Sequence, residues 1–271
     1  MQIVHVTDIH FGCEDRAAIG AVERFVRDTL PDAVVASGDL TAVGAPEEMA
    51  AAFTWLRGLG VPVFATPGNH DVPYYSLLGR LFDPFGGYRR AASGVHADVW
   101  ALDACTITAI NTARGVQPRM NWAQGAVAPR QLNEAARALR TRGPGALGIV
   151  VTHHPLDWPN DAPIPGITRR GLPAQAALIE AGAQLFLSGH LHVASARPIG
   201  EGAAVAVCGG TLSQRLRHEP CGFNVIRWTS PSAVEVEIKQ ITQGVVETAA
   251  LRRFELAAAP QADAKDPAPA V

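Results

Sequence analysis

Short apolar, β-branched runs alternate with stretches of helical periodicity through the first part of the chain. Residues 3–7, 33–37 and 61–65 read as buried strands, since unbroken apolar runs of this length suit strands covered on both faces. Between them, residues 16–29 carry Ile19, Val22, Phe25 and Val26, with Leu30 just beyond, on roughly one helical face. Residues 46–59 do the same with Met49, Phe53 and Leu56, and Pro46 and Glu47 suit a helix's first turn. Two strand–helix units are thus predicted. From residue 72 to about 129 the pattern loosens around a strand pair at 98–102 and 105–111, and long irregular segments of this kind commonly face substrate. Regularity returns with a helix at 130–141, a strand at 147–152, a helix at 173–181 and a strand at 184–188. After His192 come runs at 203–208, 223–228, 233–241 and 251–256, which read as antiparallel strands without intervening helices. The Ala- and Pro-rich tail from 257 to 271 reads as disordered, and residues 1–256 as one domain.

Candidate chemistry clusters where the predicted strands end. Asp8 and His10 follow the first, Gly38-Asp39 the second, and Gly68-Asn69-His70-Asp71 the third. His153 and His154 follow the strand at 147–152, and Gly189-His190-Leu191-His192 the strand at 184–188. In open α/β sheets ligands bind outside the carboxyl ends of strands, so five such ends can converge. Carboxylate, imidazole and amide oxygen together suit first-row ions such as Mn, Fe, Co, Ni or Zn. Each motif alone has an ordinary alternative as a turn or cap, and it is their joint arrangement that points to metal. More ligands are on offer than one tetrahedral ion needs. Two ions sharing Asp39 would use them all, and such pairs clamp an in-line phosphoryl displacement.

Composition narrows the class. The chain of 271 residues is 48% hydrophobic and 18% charged, which excludes wholesale disorder, and its net charge of -2 does not favour stable nucleic-acid binding. Cys13, Cys105, Cys208 and Cys221 lack the paired spacing of a structural zinc site and read as reduced thiols. With no signal-like start and no long apolar run, a cytoplasmic protein without a transmembrane segment is expected. Whether the late β segments form a homodimer is left open.

Asp8-x-His10, Gly38-Asp39, Gly68-Asn69-His70-Asp71, His153 and Gly189-His190-x-His192 resemble the motif series of the calcineurin-like metallophosphoesterase superfamily. The resemblance implies an α/β fold, a four-layer αββα sandwich with two mixed β-sheets and flanking helices. It also implies a dinuclear centre of divalent or trivalent ions, manganese or iron foremost and zinc as an alternative. Asp8, His10 and His192 would hold one ion with Asp39 as the bridge, and Asn69, His153 and His190 the other. His154 competes with His153, which is preferred because it directly follows the strand. A bridging hydroxide would attack phosphorus, with His70 as acid and Asp71 orienting its ring. Within the superfamily the chain looks most like the bacterial class III cyclic-nucleotide phosphodiesterases, with cyclic AMP or a similar small phosphodiester as substrate. A glycerophosphodiester, a phospholipid-derived ester or a phosphomonoester is the alternative. Retention of His70 disfavours the related diacylglucosamine pyrophosphatases, which carry Arg there, and a scaffold that has lost catalysis.

Weaker candidates remain. His5, inside the first strand, reads as a core histidine. Asn111 and Arg114 are candidates for substrate contact. Tyr74, Tyr75, Arg89, Arg90, Arg119 and Trp122 could form a base-stacking or phosphate-binding wall, with a solvated loop as the plainer alternative.

Overall fold

The protein is described here by a computed structural model covering residues 1–117 and 121–257. Arg119 and all but the first residue of the tail lie outside these residues. The strand–helix alternation builds β1 (Gln2–Val6), α1 (Arg16–Thr29), β2 (Ala33–Ser37), α2 (Pro46–Gly58) and β3 (Val63–Thr66). α1 starts at Asp15, whose carboxylate accepts the Ala18 N–H at 3.0 Å, and α2 starts where Glu48 reaches back to the Val43 N–H at 2.9 Å. Met49, Phe53 and Leu56 are buried as their spacing predicts. Leu30 is not: it is the left-handed C-cap of α1, φ 45°, and stands 73% exposed because the chain turns away from the core there.

The loosely patterned middle holds two short helices that the sequence reading left irregular, α3 (Leu77–Phe82) and α4 (Gly86–Ala91), then β4 (Val99–Ala101) and β5 (Cys105–Ala109). There follow α5 (Pro129–Arg140), β6 (Leu147–Val151), α6 (Gly171–Glu180), β7 (Leu185–Ser188), β8 (Ser195–Ile199), β9 (Ala204–Cys208), β10 (Cys221–Ser230), β11 (Ala233–Thr242) and β12 (Val245–Glu255).

These strands form two mixed sheets, in the orders β12-β11-β10-β1-β2-β3 and β4-β5-β6-β7-β9-β8. β1, β2 and β3 run parallel, as do β5, β6, β7 and β9. β9 therefore departs from the antiparallel expectation for the late strands, since β8 returns the chain so that β9 can lie parallel to β7. Three apolar clusters define the layers. One, with Val22, Val26, Phe53 and Leu56, fills the space between α1, α2 and the first sheet; a second, with Ile3, Val35, Ile149 and Leu187, lies between the sheets. The third, with Leu139, Val150 and Leu178, lies under α5 and α6. Each sheet is thus covered on both faces, which is why its central strands read as unbroken apolar runs. The four layers are αββα. Among the described residues no helix is long and apolar enough to cross a membrane.

Candidate metal centre

Parallel strands bring the ends of β1, β2 and β3 in one sheet to the same edge as the ends of β6 and β7 in the other. The turns there are sharp. Asp8, His10, Asp39, His190 and His192 all have left-handed backbones, with φ of 51°, 50°, 50°, 70° and 56°. Asp and His tolerate this region better than bulky residues do, and such outliers concentrate at functional sites. Gly68 is required by close approach: a Cβ there would collide with the backbone and carboxylate of Asp39.

The turns aim their side chains at one volume. Asp8 Oδ1 lies 3.2 Å from His192 Nε2 and 3.8 Å from His10 Nε2, and those two ring nitrogens are 3.2 Å apart. Asp39 Oδ2 lies 3.2 Å from His153 Nε2 and 3.9 Å from His10 Nε2, so one carboxylate oxygen faces both groups. His190 Nδ1 lies 3.3 Å from His153 Nε2. The outward nitrogens are held by backbone carbonyls: His10 Nδ1 on Thr41 O at 3.2 Å, His153 Nδ1 on Ser37 O at 2.9 Å, and His192 Nδ1 on Arg215 O at 2.7 Å. In a neutral ring this pattern assigns the proton to Nδ1 and leaves the Nε2 lone pair pointing inward.

Such a gathering of lone pairs calls for positive charge. Two buried oxygens, Asp8 Oδ1 and Asn69 Oδ1, have no hydrogen-bond partner among the described residues. Burial works to raise the Asp8 and Asp39 carboxyls, but His192 beside the one and His153 beside the other hold both well below the usual carboxylate range. Burial likewise opposes charge on His153, yet Asp39 lifts its pKa to about 9. Burial instead lowers His10 and His190 to about 3, favouring the neutral form that coordinates metal. Converging carboxylates and imidazoles, with the orphaned Asn69 amide oxygen in the same cavity lining, form a donor set that fits first-row ions.

His154 has a different environment from its neighbour. Its Nδ1 is paired with Thr112 Oγ1 at 2.8 Å and its Nε2 with Ala123 O at 2.7 Å, so both nitrogens are engaged by protein. His5 is a core histidine, fully buried between Ser37 Oγ at 2.8 Å and the Asn224 amide at 3.2 Å.

One reading needs correction. Asp71 does not touch the His70 ring; His70 Nδ1 is held by Ala42 O at 2.6 Å. The Asp71 carboxylate instead accepts from Leu40 N at 3.2 Å, Thr41 N at 2.9 Å, Thr41 Oγ1 at 2.9 Å and Gly68 N at 2.8 Å. Four donors converge on it because two loops cross there, and it fastens the Asp39 loop to the Asn69-His70 loop. Asn111 and Arg114 are not brought to the cluster. Asn111 lines a separate cavity, and Arg114 donates to the carbonyls of Asn111, Ala113 and Ala126. Of the expected wall, Tyr74, Tyr75 and Trp122 line a cavity beside Asn69 and His70, whereas Arg89 pairs with Asp83 and Arg90 lines another cavity.

Arg215 was not anticipated. Its Nη1 lies 3.1 Å from His70 Nε2 and 3.5 Å from His10 Nδ1, with no ion pair among the described residues. With Arg217 it lines the cavity that holds Asp39, His190 and His192.

The sequence profile of the calcineurin-like phosphoesterase family matches residues 1–194. The chain belongs to that family. The family hydrolyses phosphate esters, and its profile ends just beyond His192. A probable cyclic nucleotide phosphodiesterase of Synechococcus sp. is 32% identical over 98 residues, 32% of this chain and 38% of that protein. A glycerophosphodiester phosphodiesterase of Enterobacter lignolyticus is 34% identical over 82 residues, 26% of this chain and 30% of that protein. The chain thus matches only about a third of the length of these relatives. In three dimensions the family fold extends further, since a dimetal phosphatase from Danio rerio superposes with a TM-score of 0.66 at 12% identity, covering 95% of this chain and 99% of that one.

Proposed function

We propose that this protein is a phosphodiesterase working with two metal ions, one held by Asp8, His10, Asp39 and His192, the other by Asp39, Asn69, His153 and His190. The observation carrying this reading is the clustering of Asp8 with His10 and His192 and of Asp8 with Asp39 and His153, beside Asn69 in the same cavity lining as Asp39 and His190. Within it Asp8 Oδ1 and Asn69 Oδ1 are buried and without a hydrogen-bond partner among the described residues. His153 is chosen over His154 because both His154 nitrogens are already paired. Manganese and iron are the foremost ions and zinc the alternative, and when bound they supply Lewis acidity and activation of water. Residues 1–256 would act as one domain, since β10 to β12 complete the sheet that β1 begins.

The chain's own groups do the rest. His70, with Nδ1 fixed by Ala42 O, presents Nε2 to the cavity; with both nitrogens protonated it donates the Nε2 proton to the leaving oxygen and is left as the neutral ring. Arg215 faces the same space and offsets the charge of the phosphoryl oxygens. Asp71 fixes the loops that carry Asp39 and His70.

A 3',5'-cyclic nucleotide such as cyclic AMP is the best-supported substrate class, given the Synechococcus relative. A glycerophosphodiester is the second reading, given the Enterobacter relative. Purified protein with added Mn should hydrolyse cyclic AMP and bis-p-nitrophenyl phosphate faster than p-nitrophenyl phosphate. Turnover of the monoester alone would overturn the diesterase reading.

A further inference from the structure

Two cavities of about 490 Å³ each share Asn69 and His70. One holds Asp39, His190, His192 and Arg215, the groups that face a phosphate. The other borders the same two residues and is walled by Tyr74, Tyr75, Leu77, Arg80 and Trp122. His70 is the proposed donor to the leaving oxygen, so this second space is where the leaving alcohol's organic group extends. We infer that it is a specificity subsite and that its occupant is a nucleobase. The inference rests on the diesterase reading above.

The lining selects the occupant. Three aromatic rings line it, Tyr74 and Tyr75 packed edge to face with centres 5.1 Å apart, and aromatic rings are the platforms on which bases stack. Arg80 is largely buried, with its guanidinium 5.3 Å from the Trp122 ring centre. Among the described residues its only hydrogen bond is from Nε to Gly115 O at 2.9 Å, and it makes no ion pair there. Its remaining N–H donors match the ring nitrogens and carbonyls of a base. A glycerol or ethanolamine group presents no π face. An acyl chain would suit the exposed Leu78, Leu81 and Phe82 of α3, but it would set the Arg80 charge against hydrocarbon.

Tyr75→Ala and Trp122→Ala make the test, because both rings are at least partly exposed, at 85% and 36%, and their loss spares the core. With the Mn-loaded enzyme, KM for cyclic AMP should rise about 5–150-fold, the stacking of one base, while kcat changes far less. The rise should exceed that for glycerophosphoethanolamine by about fivefold or more, and the inhibition constant of AMP should rise in parallel. Equal shifts for both diesters, or a shift confined to lysophosphatidylethanolamine, would overturn the nucleobase assignment. If the parent enzyme turns over none of these diesters, the diesterase reading fails by itself. The subsite is then judged by calorimetric titration with AMP, where weaker binding to Trp122→Ala supports it and unchanged binding overturns it.

Discussion

Replacing Asp71 by Asn separates the role expected from sequence, orienting the His70 ring, from the fastening of two loops that its hydrogen bonds show. An amide of equal size can keep its oxygen on the Leu40 and Gly68 N–H groups, which now bond to Oδ2 at 3.2 and 2.8 Å. Its NH₂ must then replace Oδ1, where Thr41 N and Thr41 Oγ1 both donate at 2.9 Å. The hydroxyl can turn and accept, but the Thr41 N–H is left buried and facing a donor. One orphaned backbone N–H costs about 1–3 kcal/mol; loss of the carboxylate's charge weakens the two bonds that survive but relieves the burial and Asp39 repulsion that push the Asp71 pKa up to about 6. The sum is about 1–3 kcal/mol, a large fraction of an ordinary domain's stability. Urea unfolding in EDTA measures this without metal binding. The metal-replete variant should keep its dependence on pH and lose turnover only in step with metal content. An apo variant within about 0.5 kcal/mol of the parent, together with a hundredfold fall in kcat at full metal occupancy, would refute the fastening role and restore Asp71 as the partner of His70.

Asp39→Ala removes the oxygen that faces both ligand sets and should lose metal and activity together, as elemental analysis beside rate assays would show. His70→Ala should keep both metals and lower kcat by about 10²–10⁴-fold, the range of an acid–base group. Arg215→Ala should lower kcat/KM about 10–150-fold by removing a charged hydrogen-bond donor worth about 1.5–3 kcal/mol, while Arg215→Lys recovers part of the loss and metal content stays fixed. His5 predicts a pH effect: burial lowers its pKa from 6.5 to about 3, so below 6.5 the unfolded chain binds a proton that the native state refuses. Its share of stability is therefore lost as pH falls, by about 2 kcal/mol at pH 5, and His5→Gln should flatten that part of the stability–pH curve measured in EDTA.

The cluster was legible because its residues obey a rule that needs no coordinates: polar, metal-competent side chains stand directly after apolar strands. Arg215 escaped for an instructive reason. It lies in the connection that follows β9, and the late apolar runs predict antiparallel strands without intervening helices. β9 in fact runs parallel to β7, so its carboxyl end opens on the same edge. The legible signal was Gly209-Gly210 after an apolar run, followed by Arg215 and Arg217. β8 went unseen because Pro198 and Arg197 interrupt its pattern, and it was β8 that reversed the chain and made β9 parallel. α3 and α4 span six residues each, too few to show a helical period. Asp71 was located correctly but given the wrong neighbour, since sequence adjacency to His70 says nothing of where a carboxylate points after a tight turn.

The left-handed residues show how the sheets and the site depend on one another. Five of them, Asp8, His10, Asp39, His190 and His192, each hold a conformation that costs about 1 kcal/mol or more. The strain is distributed over turns that the scaffold pins: Asp8 N donates to Gly38 O and His10 N to Asp39 O, each at 3.0 Å, and His190 N donates to Asp8 Oδ2 at 2.8 Å. These bonds join β1's loop to β2's and, across the interface between the sheets, to β7's. The apolar cluster between the sheets therefore sets the separation of the ligand groups, because Ile3, Val35 and Leu187 lie within it on the strands whose ends carry Asp8, Asp39 and His190. In the proposed two-metal site a cation would meet donors already aimed at it, and its binding energy would go into holding charge rather than ordering loops.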